Sequence, residues 1–198
     1  MVRKVGRALL FAGAVMAANA TNCTGTSTKL PANQCRAWTA FFDATGGSGW
    51  TYCSETRTDP CSCTTLTADV CDASGTTVES VRLGTNNMSG MLPQEIGAWV
   101  DIKSFAVDGN LLHGTVPASV GRWKNIRDIH LDSNQLVGVL PAMPFEQLTG
   151  CGLDSCCVLL MDSGSNAFSC PWPEGAMAHC DKMTWNSHVR IAKTDCKS

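Results

Sequence analysis

The chain has 198 residues, and beyond the first twenty it carries 12 Lys and Arg against 17 Asp and Glu, a net charge of −5. An acidic chain of single-domain length is repelled by nucleic acid and by anionic membrane, so neither is expected as a main partner. No later segment is apolar for long enough to insert in a bilayer, and the closing Asp195-Cys196-Lys197-Ser198 lacks the tail of a lipid-anchor signal.

Residues 1–20 read as a leader. Arg3, Lys4 and Arg7 precede an apolar run from Ala8 to Ala18, and Ala18-Asn19-Ala20 has the small residues of a cleavage site. That three-part layout is a secretory signal peptide, which implies an extracellular protein in an oxidising compartment. The run is too short for a spanning helix.

Residues 21–77 are cysteine-rich, with cysteines at 23, 35, 53, 61, 63 and 71. A second group of six lies at 151, 156, 157, 170, 180 and 196. An even count behind a leader predicts disulfides, and six cysteines on one side allow 15 connectivities that spacing does not choose among. Zinc is the competing reading, but neither Cys61-Ser62-Cys63 nor Cys156-Cys157 has the spacing of a structural site, so no metal and no cofactor is expected. Cys35, Trp38, Phe41 and Phe42 fall on one helical face, with Pro31 near its start and Gly46-Gly47 at its end.

From Val78 the chain repeats itself every 24 residues. Val78, Ile102 and Ile126 share a column, as do Val81, Phe105 and Ile129, and then Leu83, Val107 and Leu131. Asn86, Asn110 and Asn134 follow, then Met88, Leu112 and Leu136, then Gly90, Gly114 and Gly138, then Pro93, Pro117 and Pro141. The alternating apolar positions predict a short strand with one buried face, which only stacked copies can cover. The asparagine amide both donates and accepts, so it can satisfy backbone groups of its own and neighbouring turns where Asp could not. Glycine permits a backbone path denied to other residues, and proline holds an extended return without a donor.

With these columns the chain resembles a leucine-rich repeat protein of the 24-residue class found in plant receptor ectodomains. The resemblance implies an α/β solenoid: a right-handed coil with a parallel concave sheet and disulfide-bonded caps. It divides the chain into an N-terminal cap at 21–77, three repeats at 78–147, and a degenerate fourth repeat with a C-terminal cap at 148–198. The segment Ala44-Thr45-Gly46-Gly47 with Trp50-Thr51, followed by Asp59-Pro60-Cys61, is similar to the family's N-terminal cap, although Cys63 stands where that pattern has tryptophan. The same resemblance implies a bridge between Cys61 and Cys71. Polygalacturonase-inhibiting proteins and trypanosomatid leucine-rich surface antigens combine caps and repeats in a similar way.

The fourth copy runs Asn166-Ala167-Phe168-Ser169-Cys170-Pro171, with Cys170 in the glycine column, and it begins 32 residues after Asn134 instead of 24. The delay predicts an interrupted or bulged stack. Beyond it the cysteines suggest a closed cap.

The motifs of catalysis are missing. Gly46-Gly47-Ser48-Gly49 is followed by Trp50 and is no nucleophile elbow, and there is no phosphate loop or His-Glu-x-x-His pair. His113, His179 and His188 read as surface residues, and Trp99 and Trp123 as packing. The strand alternation places Asp128, His130 and Asp132 on the solvent-facing concave side. Asp108 precedes Asp132 in its column and Arg82 lies in that of His130, giving an acidic ridge on the later coils and a basic first coil. These five residues are the expected ligand-binding surface. Asn87-Met88-Ser89 and Asn22-Cys23-Thr24 are glycosylation sequons. The expected function is non-catalytic recognition of an extracellular protein or glycan; a surface-coat component, or an inhibitor of a secreted glycanase, is the alternative. Oligomeric state is not set by the sequence.

Overall fold

A computed structural model describes residues 22–65, 67–153, 166–169 and 171–176. The expected leader at 1–20, the cysteines at 156, 157, 170, 180 and 196, and His179 and His188 lie outside the described residues.

The first regular element is α1 (Ala32–Ala44), entered from Pro31. It buries Cys35, Ala37, Trp38, Phe41 and Phe42, the residues one face of a 3.6-residue period brings together. It stops where Thr45 returns its N–H to the Phe41 carbonyl at 3.1 Å and Gly46 turns left-handed at φ 71°. Three disulfides hold this end of the molecule: Cys23–Cys35, Cys53–Cys63 and Cys61–Cys71. Cys63, where the cap pattern has tryptophan, is 1% exposed, so its bridge to Cys53 fills that core position.

Among the described residues eight short strands follow: β1 (Ser80–Arg82), β2 (Ser89–Met91), β3 (Ser104–Ala106), β4 (Leu111–Thr115), β5 (Asp128–His130), β6 (Gln135–Val139), β7 (Gly150–Gly152) and β8 (Ala167–Ser169). They form two parallel sheets, β1-β3-β5-β7 and β2-β4-β6-β8. Each coil contributes one strand to each sheet and returns through a 3-10 turn, Gln94–Ala98 after Pro93 and Ala118–Arg122 after Pro117. The chain is therefore a leucine-rich repeat solenoid with a disulfide-bonded N-terminal cap.

The asparagine column lies in the core between the coils. Asn110 Oδ1 accepts from the N–H groups of Asn86 and Met88, both at 2.9 Å. Its Nδ2 lies within 2.9–3.0 Å of the carbonyls of Leu83, Val107 and Asp108. Asn134 and Asn166 each repeat the pattern one coil on, accepting from Leu112 and Leu136. At the cap end no earlier coil exists, and Asn86 holds Tyr52 instead: Tyr52 N–H donates to Asn86 Oδ1 at 2.6 Å, and Asn86 Nδ2 donates to the Tyr52 carbonyl at 3.2 Å. The glycine column has positive φ, and at Gly90 (φ 114°) a Cβ would sit 2.1 Å from the Ala44 carbonyl oxygen.

The delay of the fourth copy has two parts. Ser80, Ser104 and Asp128 pair at steps of 24, but Asp128 pairs with Gly150, two residues early. The shortening falls on the return, where a three-residue turn at Phe145–Gln147 replaces the five-residue ones. The extra residues lie between β7 and Asn166. The concave sheet thus continues without a break, with Cys151 in the column of Ile129, and the insertion follows the strand.

Candidate ligand-binding surface

The register of the concave sheet assembles the site. One row runs Ser80, Ser104, Asp128, Gly150, and the next runs Arg82, Ala106, His130, Gly152. Alternate side chains of each strand point inward, so Val81, Phe105 and Ile129 are 0–1% exposed while Arg82, Asp128 and His130 reach solvent; Ser104, which accepts from Arg82, is itself buried. Asp108 and Asp132 follow their strands in a third row. All five sequence-selected residues therefore lie on one face.

Their charges are not arranged as the strand pattern alone suggested. Arg82 does not make a separate basic patch: its Nε donates to Ser104 Oγ at 2.9 Å, and its guanidinium reaches two coils along to Asp128 at 3.4 Å. Asp128 also accepts from Thr149 Oγ1 at 3.2 Å. What is left of the acidic ridge is Asp108, Asp132 and the histidine between the coils. His130 Nδ1 lies 3.8 Å from Asp132 Oδ1, ion-pair range rather than hydrogen-bond range. The attraction of Asp132 for the imidazolium holds His130 above the usual histidine value, against partial burial and with smaller help from Asp108 and Asp128. Asp108 is shifted the other way for a carboxylate: burial, then the charge of Asp132, push it above the usual range.

Strand reasoning missed the cap's contribution. A small hairpin, closed by an antiparallel bridge between Thr64 and Asp69, stands over the first coils. Between it and the sheet lies a recess of about 540 Å³, bounded by Tyr52, Thr64, Thr65, Thr67, Arg82 and Asp108. A second recess of about 570 Å³ adjoins it and shares Thr67 and Arg82. Thr64, Thr65 and Thr67 were visible in the sequence, but nothing in the sequence said they lined a recess with the sheet.

Of the other expected residues, Trp99 and Trp123 are 0% and 1% exposed and donate their indole N–H groups to Gln34 and Ile96 carbonyls. Both sequon asparagines are exposed, and Asn87 Nδ2 donates to the Gly49 carbonyl at 2.9 Å. Among the described residues there is no group of three His, Cys, Asp or Glu fit to hold a metal, and no helix long and apolar enough to cross a membrane.

Fold and surface together define a class: a leucine-rich repeat solenoid with a disulfide-bonded N-terminal cap and a polar concave sheet. Among solved structures the chain is similar to plant receptor ectodomains. The ectodomain of the receptor kinase SOBIR1 from Arabidopsis thaliana matches at 14% identity and a TM-score of 0.45, over 71% of this chain and 70% of that one. The receptor in the complex PEPR1-AtPEP1 matches at 23% identity and a TM-score of 0.43, over 53% of this chain but 14% of that one. A chain of the BIR3–SERK2 complex from Arabidopsis thaliana matches at 19% identity and 0.42, over 65% and 60%. No protein-family model matches the chain, and no curated protein does.

Proposed function

We propose that the chain is a secreted, non-catalytic recognition protein that binds an extracellular protein or glycan through its concave face. The observation that carries this reading is the gathering of Arg82, Asp108, Asp128, His130 and Asp132 on one solvent-facing sheet, on strands whose backbone is already satisfied by neighbouring coils. Such a surface is rigid before a partner arrives, so little ordering cost opposes binding. Catalysis is poorly served. The sheet is open to water, and among the described residues no hydroxyl or thiol hydrogen-bonds to His130 to serve as a nucleophile.

The test is affinity capture from extracellular fluid with the mature protein, followed by binding measurements on variants. His130→Ala combined with Asp132→Lys removes and reverses the open part of the surface, and should weaken the captured ligand by about tenfold or more if this is a hot spot. Lys124→Glu, on the opposite, return side, should leave binding unchanged. A ligand lost with Lys124→Glu but kept by the concave variant would refute the reading, and abundant protein with no specific ligand would favour a coat component.

A further inference from the structure

We infer that the recess between the cap hairpin and the first coils is a subsite for a neutral oligosaccharide; the inference rests on the concave-face reading and narrows it. Its wall carries one charge of each sign, Arg82 and Asp108. A cationic ligand would meet the guanidinium, and an anionic one the carboxylate. An apolar ligand would cover a half-buried carboxylate and leave its acceptors unmet, which is costly.

Asp108 is the anchor. Its carboxylate accepts from its own backbone N–H, but among the described residues no side chain donates a hydrogen bond to it, although burial already penalises its charge. The carboxylate lies over Gly84, where a Cβ would come within 2.8 Å of Oδ1, so the absence of a side chain there keeps the position available. On the same recess, Arg82 has Nε and one amino nitrogen committed to Ser104 and Asp128, which fixes the plane of the guanidinium. A fixed donor and a carboxylate with acceptor positions to spare, lining one recess, suit hydroxyl groups, each of which can donate and accept.

Tyr52 supplies the platform. Its side chain is 50% exposed, yet its backbone N–H and carbonyl are both held by Asn86. An exposed aromatic ring on a pinned backbone is a ready stacking face, and the C–H face of a sugar ring fits on it beside hydroxyls that reach polar neighbours. Thr64 and Thr67, exposed on the hairpin, add two more hydroxyls. The adjoining recess extends the site beyond one ring. There Lys103 pairs with Glu79 at 2.6 Å and Arg82 with Asp128 at 3.4 Å, while Asp69 and Asp72 on its outer side have no ion-pair partner among the described residues and add further acceptors.

The experiment titrates the full mature chain with cello-, malto-, laminari-, manno- and chitohexaose, using saturation-transfer NMR and calorimetry. A heparin-derived hexasaccharide and an oligolysine peptide serve as charged comparisons. At least one neutral hexasaccharide should bind saturably, and Tyr52→Ala and Asp108→Ala should each weaken it by about tenfold or more. Tyr52→Phe should retain binding, and matching circular dichroism spectra would show that the losses are not unfolding. The inference is overturned if no neutral hexasaccharide binds, if the binding survives Tyr52→Ala, or if either charged probe binds more tightly. Should it fail while His130→Ala with Asp132→Lys still abolishes capture of an extracellular ligand, the subsite alone is wrong. If that variant also binds normally, the concave-face reading falls with it.

Discussion

Asp108 and His130 place two pH dependences of the same direction on one face, each lowering stability as pH rises. The folded-state pKa of Asp108 is raised by burial and then by Asp132, so its ionised form is disfavoured by folding. That penalty is present at neutral pH and disappears as pH falls through the raised value toward the unfolded one. His130 has a raised pKa from Asp132, so its contribution is fully present below the unfolded value and is lost as pH rises through the folded one. Asp108→Asn should therefore raise the melting temperature at pH 7, with the gain vanishing near pH 3. A gain of equal size at both pH values would mean that the carboxylate's charge is not the cause. The strand alternation was enough to put both residues on the solvent side. That Asp108 shares a recess with the cap hairpin is not encoded in any local pattern.

The repeating coil, as an element, owes its geometry to the asparagine column. Replacing Asn110 by Ala removes the acceptor for two buried N–H groups and the donors to neighbouring carbonyls. At about 1–3 kcal/mol for each buried group left unpaired, the loss should reach several kcal/mol. Asn110→Asp should cost nearly as much, since it keeps the acceptor, loses the donors and buries a charge. Lys103→Ala breaks only a surface pair with Glu79 and should cost less than about 1 kcal/mol. Urea titrations of the three variants decide this, and equal midpoints would contradict the ladder. The spacing of asparagine, glycine and proline made the element readable. It did not reveal that the third return is shortened, because the turn over Phe145–Gln147 follows Pro144 in place of the repeat's own proline column.

Over the whole molecule, cap and coils share one core. Trp38 and Phe41 of α1 lie 6.3 and 5.6 Å from Trp99, and Phe41 lies 6.1 Å from Phe105, which in turn contacts Trp123 at 5.0 Å. Burying these rings against each other joins the helix to the first and second coils. Unfolding with disulfides intact should then be a single transition, with tryptophan fluorescence and far-ultraviolet circular dichroism coinciding in denaturant. Separate midpoints would show that the cap melts independently of the coils.

The sequence by itself determined the solenoid. Apolar positions at a fixed period can be buried only by stacking, and the asparagine column can be satisfied only by adjacent coils. It also selected the concave residues, since strand alternation is a local property. Only the tertiary structure decided how those residues combine. Arg82 meets Asp128 because stacked strands bring residues 46 positions apart within 3.4 Å. Tyr52 joins the site because Asn86, having no earlier coil to bond, takes up the backbone of the cap. Local patterns specify which way a side chain faces; what it faces is set by contacts between segments distant in sequence, and the recess beside Asp108 is made of those contacts.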